Sequence, residues 1–316
     1  MSAAAPKIGA GLRGATGRPR VGILATGDRW HVAALSGALV ARGCDAVLLD
    51  ATGLAGGAGG GTAGVTQGPA RLEDLDALLV RFIPAGSLDQ IVFRIDLLHL
   101  LADAGLPVIN PPRALERTVD KHWTTRLLHD AGLPTPRTVA AEDEAEAMAA
   151  FESMGDVVVK PLLGAGGRGI CRVGDPDLAW RTFRALTTQR AVFYVQEFVP
   201  HGTSDLRFLV AGGRVIAAAR RTGESWKTNV AAGARATAHD PSPEQEELAI
   251  RACRAVGADY AGIDLIEAED GRLLVVEVNG IPGFSALQRT ASVDIAAAIA
   301  GLAVARLETR AAAVSS

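Results

Sequence analysis

The stretch LLVVEVNGIPG at residues 273–283 decides the fold, because it is an apolar strand interrupted by one carboxylate and followed by a Gly/Pro turn. Side chains alternate along a strand, so Glu277 and Asn279 face the same way. A second acid, Asp264, sits in the neighbouring strand GIDL (262–265), and a hairpin would bring it near Glu277. A buried carboxylate is unfavourable unless it is paired or bound to a metal ion. Two acids and an amide oxygen suit Mg²⁺, and a buried arginine partner for one acid is the alternative.

A glycine-rich segment, GAGGRG at residues 164–169, follows the apolar strand VVVKP at 157–161. Its spacing satisfies G-x-G-x-x-G, but a dinucleotide fingerprint needs a helix afterwards, and residues 170–173 are typical of a strand. The pattern therefore predicts a hairpin tip whose backbone N–H groups fold over phosphates, with Lys160 adding a cation. A plain flexible hairpin is the alternative. The chain has no GxxxxGK[ST] motif, which excludes a P-loop.

Three basic residues accompany these motifs. Arg207 and Arg220 fall in adjacent predicted strands, and Lys121 begins a helix after Asp120. Arginine presents paired donors to phosphate or carboxylate. Each of these residues alone is more often a solvated surface charge, but together they indicate an anionic substrate and a nucleotide.

Composition excludes several function classes. A formal net charge of −3 gives no support for general nucleic-acid binding. No apolar run reaches the roughly 18 residues that a membrane span needs. The first 20 residues lack the apolar core of a signal peptide, and residues 1–19 are predicted to be disordered.

Three cysteines without a CxxC pair favour free thiols in a reducing cytoplasm. The absence of GxSxG, HExxH and zinc-like histidine spacing leaves covalent and zinc catalysis without support.

The first third of the chain alternates strands and helices. Strands are predicted at 21–25, 46–50, 77–80 and 108–109, and helices at 31–42 and 91–104. This alternation predicts a parallel α/β domain over residues 20–112. The Gly/Ala-rich residues 53–68 are predicted to be a flexible surface loop.

The rest of the chain begins with a helix predicted at 115–130. From about residue 205 the strands are predicted to be antiparallel, because the turns at 211–213 and 269–271 are short. A final helix is predicted at 295–305.

In these features the chain resembles the ATP-grasp superfamily, and specifically the RimK-type α-L-glutamate ligases. The resemblance runs from about residue 21 to residue 307. It is carried by NPP (110–112), DK (120–121), GLPTP (132–136), VVKPL (158–162), the glycine loop, QEFV (196–199), DLR (205–207) and EVNGIPG (277–283).

The resemblance implies an ATP-grasp fold that combines α/β and α+β parts. Residues 20–112 would be an N-terminal pre-ATP-grasp domain with a parallel sheet. Residues 113–200 would form a central subdomain with the glycine lid, and 201–308 a C-terminal subdomain with the metal site. ATP would be gripped between these two, and 309–316 would be a tail.

The resemblance also assigns residues to the nucleotide. They are the phosphate-contacting Lys121 and Lys160, the lid glycines Gly164, Gly166, Gly167 and Gly169, the adenine hinge Gln196, Glu197, Phe198 and Val199, and Asp205 near the ribose or the incoming substrate. The hinge would hydrogen-bond the adenine through backbone atoms.

A metal and reaction centre is implied in the same way. Its metal ligands for two Mg²⁺ (or Mn²⁺) ions would be Asp264, Glu277 and Asn279. Arg220 and Asn229 would steady the γ-phosphate and an acyl-phosphate, and Arg207 would reach the substrate carboxylate.

Residues 81–96, RFIPAGSLDQIVFRID, are similar to the RimK-type ligases of tetrahydromethanopterin and methylofuran coenzymes. The resemblance implies ATP- and Mg²⁺-dependent addition of L-glutamate to such a coenzyme. The partners would be these small molecules, without nucleic acid or membrane, and the enzyme would be a cytoplasmic homo-oligomer. A ligase acting on a protein or carrier-protein tail, and an inactive nucleotide-binding module, are the alternatives.

Overall fold

The computed structural model describes residues 17–27, 29–59, 63–164, 166–228 and 233–315. The chain divides into two units. The first takes the residues up to Glu116, Gly283–Ser285 and the segment from Val293 onwards, and the second takes Arg117–Pro282 and Ala286–Ser292. Most of the segment predicted to be a disordered start lies outside the described residues.

A four-stranded parallel sheet forms the centre of the first unit. Its strands are β1 (Arg20–Ala25), β2 (Asp45–Asp50), β6 (Ala77–Val80) and β7 (Val108–Ile109), in the order β2-β1-β6-β7. Near-continuous apolar runs are typical of parallel strands covered on both faces, and all four residues of β6 are buried. The predicted parallel α/β arrangement is therefore confirmed.

The helices of the first unit are α1 (Arg29–Val40), α2 (Leu88–Asp103) and α9 (Ile295–Ser315). A capping box at Ser87 starts α2, one turn before its predicted beginning. Helix α9 packs against α1 and β6, and its buried face includes Ile295 and Ile299. The final helix was predicted to end at 305, but the Ala-rich sequence continues it to Ser315, while the division that sets 309–316 apart as a tail stays a prediction.

The Gly/Ala-rich segment is a small antiparallel sheet where the structure describes it, so the prediction of a flexible loop is wrong there. Its strands are β3 (Ala55–Gly57), β4 (Gly64–Gln67) and β5 (Ala70–Arg71). The Val65 side chain is buried, and the Val65 backbone N–H donates to Glu73 Oε1 at 2.6 Å. These two contacts order the segment despite its composition.

Two helices replace the single predicted helix at 115–130. They are α3 (Pro112–Val119) and α4 (Lys121–Asp130). Asp120 separates them, because its backbone is extended and its side chain accepts a hydrogen bond from the Trp123 N–H at 2.9 Å. Aspartate competes with the helix backbone in this way and favours an N-cap over a helix interior.

The second unit contains an antiparallel sheet in the order β10-β9-β11-β8. Its strands are β8 (Thr138–Ala141), β9 (Val157–Lys160), β10 (Cys171–Val173) and β11 (Phe193–Glu197), and its helices are α5 (Glu144–Met154) and α6 (Pro176–Thr188). The helices and sheet share a core that includes Phe151, Phe183 and Phe193. Strands β9 and β10 form the predicted hairpin around the glycine loop.

A five-stranded antiparallel sheet completes the second unit, in the order β14-β13-β12-β15-β16. Its strands are β12 (Ser204–Ala211), β13 (Arg214–Thr222), β14 (Arg235–Ala238), β15 (Tyr260–Glu267) and β16 (Leu273–Asn279), with helices α7 (Pro243–Val256) and α8 (Ser285–Gln288). The antiparallel prediction is confirmed, although β14 was not predicted. The finer domain division at residue 200 stays a prediction. Within the described ranges, no helix combines the length and the apolarity needed to cross a membrane.

Candidate active site

Five charged side chains share one face of the five-stranded sheet. Asp205 lies opposite Arg221, and Arg207 lies opposite Asp264 on the other neighbouring strand. Asp264 in turn lies opposite Glu277, as the sequence predicted. Residues directly opposite each other, and residues two apart on one strand, point to the same side of a sheet. The face therefore carries three acidic and two basic groups across four strands, with the acids Asp264 and Glu277 side by side.

A β-bulge in each of two hairpins creates this alignment. Without the bulge in β12–β13, Asp205 would oppose Arg220; the one-residue shift puts Arg221 there. A similar shift in β15–β16 sets Asp264 opposite Glu277. Bulges are frequent beside active sites because an extra residue redirects the side chains that follow it.

Arg221 links two buried carboxylates. Its guanidinium donates to both oxygens of Asp205, at 2.7 and 2.5 Å, and lies 3.2 Å from Asp264 Oδ1. Arg207 donates to the same Asp264 oxygen at 2.7 Å, and Thr228 donates to Asp205 at 2.5 Å. Arg221, Asp205 and Asp264 are each less than a tenth exposed. The alternative in which one acid pairs with a buried arginine therefore holds for Asp264.

The ionised form of Asp264 is favoured by this arrangement. Burial raises the pKa of Asp264, but Arg207 and Arg221 outweigh burial and hold the pKa below its usual range. Both arginines contact Oδ1, so Oδ2 receives no hydrogen bond from the described residues. The half-buried Glu277 carboxylate likewise makes no side-chain hydrogen bond or ion pair within the described ranges.

Free carboxylate oxygens on two paired strands fit a hard cation such as Mg²⁺. Asn279 is two residues from Glu277 on the same face and supplies the amide oxygen of the predicted set. Among the residues that the structure describes, no group of three or more His, Cys, Asp or Glu side chains is placed to hold a metal ion. A metal here would therefore rely on two carboxylates and one amide, and it would keep water or phosphate ligands.

Lys160 ends strand β9 beside this acidic pair. Its Nζ donates to Gln196 Oε1 at 2.6 Å. Burial lowers the pKa of Lys160 to about 8, with Lys121 also lowering it and Glu277 and Asp264 opposing that change. A half-buried ammonium that faces two carboxylates is a suitable contact for an anionic ligand.

Lys121 holds the glycine loop. Its Nζ donates to the Gly164 carbonyl at 2.8 Å and its backbone N–H to the Leu162 carbonyl at 3.3 Å. At the other end of the loop, Lys227 Nζ donates to the Ile170 carbonyl at 2.8 Å. Burial lowers the pKa of Lys121, and Glu277 partly opposes this. Positive φ values at Gly164, Gly166, Gly167 and Gly169 explain why glycine fills the loop.

A cleft opens between the two sheets of the second unit. Its apolar walls suit a flat aromatic base, and its charged end holds the lysine and the acidic pair. The lining residues are Pro136, Val158, Lys160, Ile170, Gln196, Glu197, Phe198, Val199, His201, Asp205, Arg221, Trp226, Lys227, Thr228, Asp264, Ile266, Val276 and Glu277.

The cleft brings together eight predicted residues, namely Lys160, the hinge residues 196–199, Asp205, Asp264 and Glu277. Arg220 lies elsewhere, because it pairs with Glu267 at 2.8 Å and contacts Ser204. Asn229 lies outside the described residues. Arg207 reaches Asp264 but does not line the cleft.

Ten lining residues were not predicted as site residues, and five of these are polar or aromatic, namely His201, Arg221, Trp226, Lys227 and Thr228. Arg221 was not predicted as a site residue, because its place opposite Asp205 depends on the β-bulge, and no local sequence pattern indicates that bulge. The motif WKT at 226–228 carried a signal, since an aromatic and a cation stand together in the loop that follows β13. The Trp226 and Phe198 rings meet edge to face, with centroids 5.6 Å apart.

Comparison with known proteins identifies the family of this site. Residues 118–302, more than half of the chain, match the RimK-like ATP-grasp domain. The tetrahydromethanopterin:alpha-L-glutamate ligase of Methanocaldococcus jannaschii is 37% identical over 232 residues, 71% of this chain and 78% of that protein. The ligase of the same name from Methanosarcina acetivorans is 37% identical over 209 residues, which are 62% of this chain and 64% of that protein. The chain thus matches just under two thirds of the length of this second relative.

A solved structure supports the same conclusion. The RimK domain ATP-grasp protein of Sphaerobacter thermophilus is 29% identical and superimposes with a TM-score of 0.69, covering 90% of this chain and 99% of that one. The predicted ATP-grasp fold, with its α/β and α+β parts, and the predicted resemblance to tetrahydromethanopterin ligases are confirmed as similarities. The chain belongs to the RimK-like ATP-grasp family.

Proposed function

We propose that this protein is an ATP- and Mg²⁺-dependent ligase that joins a carboxylate to the amine of L-glutamate through an acyl-phosphate. The acceptor would be a coenzyme of the tetrahydromethanopterin or methylofuran type, in keeping with the names of its relatives and with residues 81–96. The observation that carries the proposal is the cleft itself. It combines apolar walls with a lysine and two paired-strand carboxylates at one end.

The apolar part of the cleft would hold the adenine. Val158, Ile170 and Ile266 would contact its faces, and backbone atoms of residues 196–199 would hydrogen-bond its edge. The triphosphate would then extend towards Lys160, with Lys121 and the glycine hairpin above it. Phosphoryl transfer requires mainly positioning and charge neutralisation, and this part of the cleft supplies both.

Asp264, Glu277 and Asn279 would hold two Mg²⁺ (or Mn²⁺) ions. Bound there, the metal would neutralise phosphate charge and make the γ-phosphorus more electrophilic. Arg207 and Arg221 keep Asp264 ionised for this role. The predicted roles of Arg220 and Asn229 towards the γ-phosphate and acyl-phosphate, and of Arg207 towards the substrate carboxylate, remain part of the proposal.

The reaction would proceed in two steps. A carboxylate oxygen of the acceptor attacks the γ-phosphorus, and the bond to the β–γ bridging oxygen breaks to release ADP. The glutamate amine then attacks the acyl carbon, the amine loses a proton, and inorganic phosphate leaves. The glycine loop would exclude water, which otherwise hydrolyses the acyl-phosphate.

The proposal also includes the setting of the enzyme. All three cysteines, Cys44, Cys171 and Cys253, are free thiols, which suits a reducing cytoplasm. A homo-oligomer is proposed, and sedimentation of the purified protein tests it.

The test is product analysis by mass spectrometry after incubation with ATP, Mg²⁺, L-glutamate and reduced pterin or furan coenzymes. A coenzyme product heavier by one or more glutamyl units, formed with stoichiometric phosphate release, supports the proposal. Glu277→Gln is the matched control and should form no product. Glutamylation confined to a protein or carrier-protein tail would replace the coenzyme as acceptor. ATP binding without phosphate release under any condition would identify an inactive module.

A further inference from the structure

The Gln196 side chain sits in a hydrogen-bond network whose direction is fixed. Its Nε2 donates to Thr138 Oγ1 at 2.9 Å and to the Tyr194 hydroxyl at 3.1 Å. The Thr138 hydroxyl donates its own proton to the Pro136 carbonyl, so it can only accept a hydrogen bond from Gln196. The Gln196 amide is therefore anchored with Oε1 facing Lys160.

The Tyr194 hydroxyl is directed in the same way. Thr125 Oγ1 donates to the Lys121 carbonyl at 2.8 Å, so it accepts the proton of Tyr194 across the 2.8 Å contact between them. Tyr194 is then left to accept from Gln196. Both donors of the Gln196 amide are thus matched to acceptors, and its oxygen remains for Lys160.

Burial makes this network rigid. Gln196 is 2% exposed and Tyr194 is 1% exposed. Turning the amide over would set its N–H₂ against the Lys160 ammonium and leave two buried acceptors unmatched, which is unfavourable. Gln196 Oε1 is also the one hydrogen-bond acceptor that Lys160 Nζ contacts among the described residues.

We propose that the Gln196 side chain is a positioning residue, which holds the Lys160 ammonium at the charged end of the cleft and keeps it protonated for an anionic ligand. This role is separate from any backbone contact of residue 196 with a nucleobase. It rests on the proposed function, because it takes the phosphates of ATP as the ligand of Lys160.

The charge of Lys160 depends on the groups around it as well as on the Gln196 amide. Glu277 and Asp264 favour the ammonium, whereas burial and Lys121 disfavour it, so the pKa lies at about 8. The Tyr194 ring faces the ammonium with its centroid 6.0 Å from Nζ. The amide oxygen of Gln196 adds one charge-assisted hydrogen bond, which favours the protonated lysine.

The experiment measures ADP affinity by calorimetry between pH 6.5 and 9.5 in wild type and in Gln196→Leu and Gln196→Glu. Wild-type affinity should fall as pH rises through about 8, where Lys160 loses its proton. Gln196→Leu removes the acceptor and should move this fall about one pH unit lower, which corresponds to an affinity about fivefold weaker at pH 8 and about tenfold weaker at about pH 9.5. Gln196→Glu restores an acceptor and should return the fall to the wild-type pH or above it.

Gln245 offers a matched control. It is also buried, and it caps α7 and contacts Glu267 at 3.0 Å. Gln245→Leu should lower the free energy of unfolding without changing the pH at which ADP affinity falls. A Gln196→Leu profile identical to wild type, or an equal shift in Gln245→Leu, would overturn the inference. If Gln196→Leu does not fold, Tyr194→Phe is measured instead. It removes one acceptor of the Gln196 amide, so the pH at which ADP affinity falls should move in the same direction by a smaller amount. Absence of ADP binding to wild type would refute the proposed function instead.

Discussion

Replacing Arg221 by methionine should destabilise the second unit more than most single substitutions would. The change removes the guanidinium that contacts Asp205 twice and Asp264 once, and it leaves Asp205 with Thr228 alone. All three charged groups are less than a tenth exposed, so water can replace these contacts only in small part.

The expected loss follows from that burial. Removing one partner of a buried ion pair costs about 3–5 kcal/mol, because the remaining charge stays buried without compensation. Arg221→Lys keeps the charge but cannot make the two-pronged contact with Asp205, so it should lose roughly 1.5–3 kcal/mol. The measurement is urea unfolding at pH 7, followed by circular dichroism.

Arg272→Met is the control for this experiment. Arg272 pairs with Asp270 at 2.7 Å, but both side chains are more than half exposed, and no measurable change is expected. A loss below about 1 kcal/mol in Arg221→Met would refute the argument that burial makes the Arg221 network essential to stability.

Three further predictions concern single side chains. Glu277→Ala should unfold like wild type, because its side chain has no described hydrogen bond to lose, yet release no phosphate from ATP; retained turnover would remove it from the metal site. Lys160→Met should weaken ADP binding at least about tenfold by calorimetry, which corresponds to about 1.4 kcal/mol, and unchanged affinity would contradict its role. Gly262→Ala should cost about 1–3 kcal/mol in urea unfolding, because a Cβ there would overlap the Arg207 guanidinium. Gly283→Ala, where a Cβ meets nothing, is its control, and equal losses in both would contradict the overlap.

Much of the fold could be predicted from sequence because its signals are local. Apolar runs such as β6 and short turns such as 211–213 fix strand type and direction. The helix start at Lys121 after Asp120 was predicted, but so was one continuous helix over 115–130, because an aspartate within an amphipathic pattern does not reveal whether it caps a new helix. The order in the Gly/Ala segment was missed because it depends on Glu73 accepting from Val65, a contact that composition does not encode.

The candidate site was predictable in its residue types and less so in its geometry. Paired acids and the glycine hairpin follow from alternation and spacing. Which of two adjacent arginines faces Asp205 depends on one extra residue in a hairpin, and the sequence carries no mark of it. The orientation of the Gln196 amide depends on which hydroxyl protons are already committed to other acceptors, a property of packed structure alone.

Helix α9 has a consequence for how the chain is made. It packs on α1 and β6, which are encoded more than two hundred residues earlier. On a ribosome, the α/β layer of the first unit would emerge with an apolar surface uncovered, and the surface would stay so until residues 295–315 had been synthesised. A nascent chain arrested before residue 293 should therefore bind a hydrophobic dye or a chaperone, and release it once the closing helix is added.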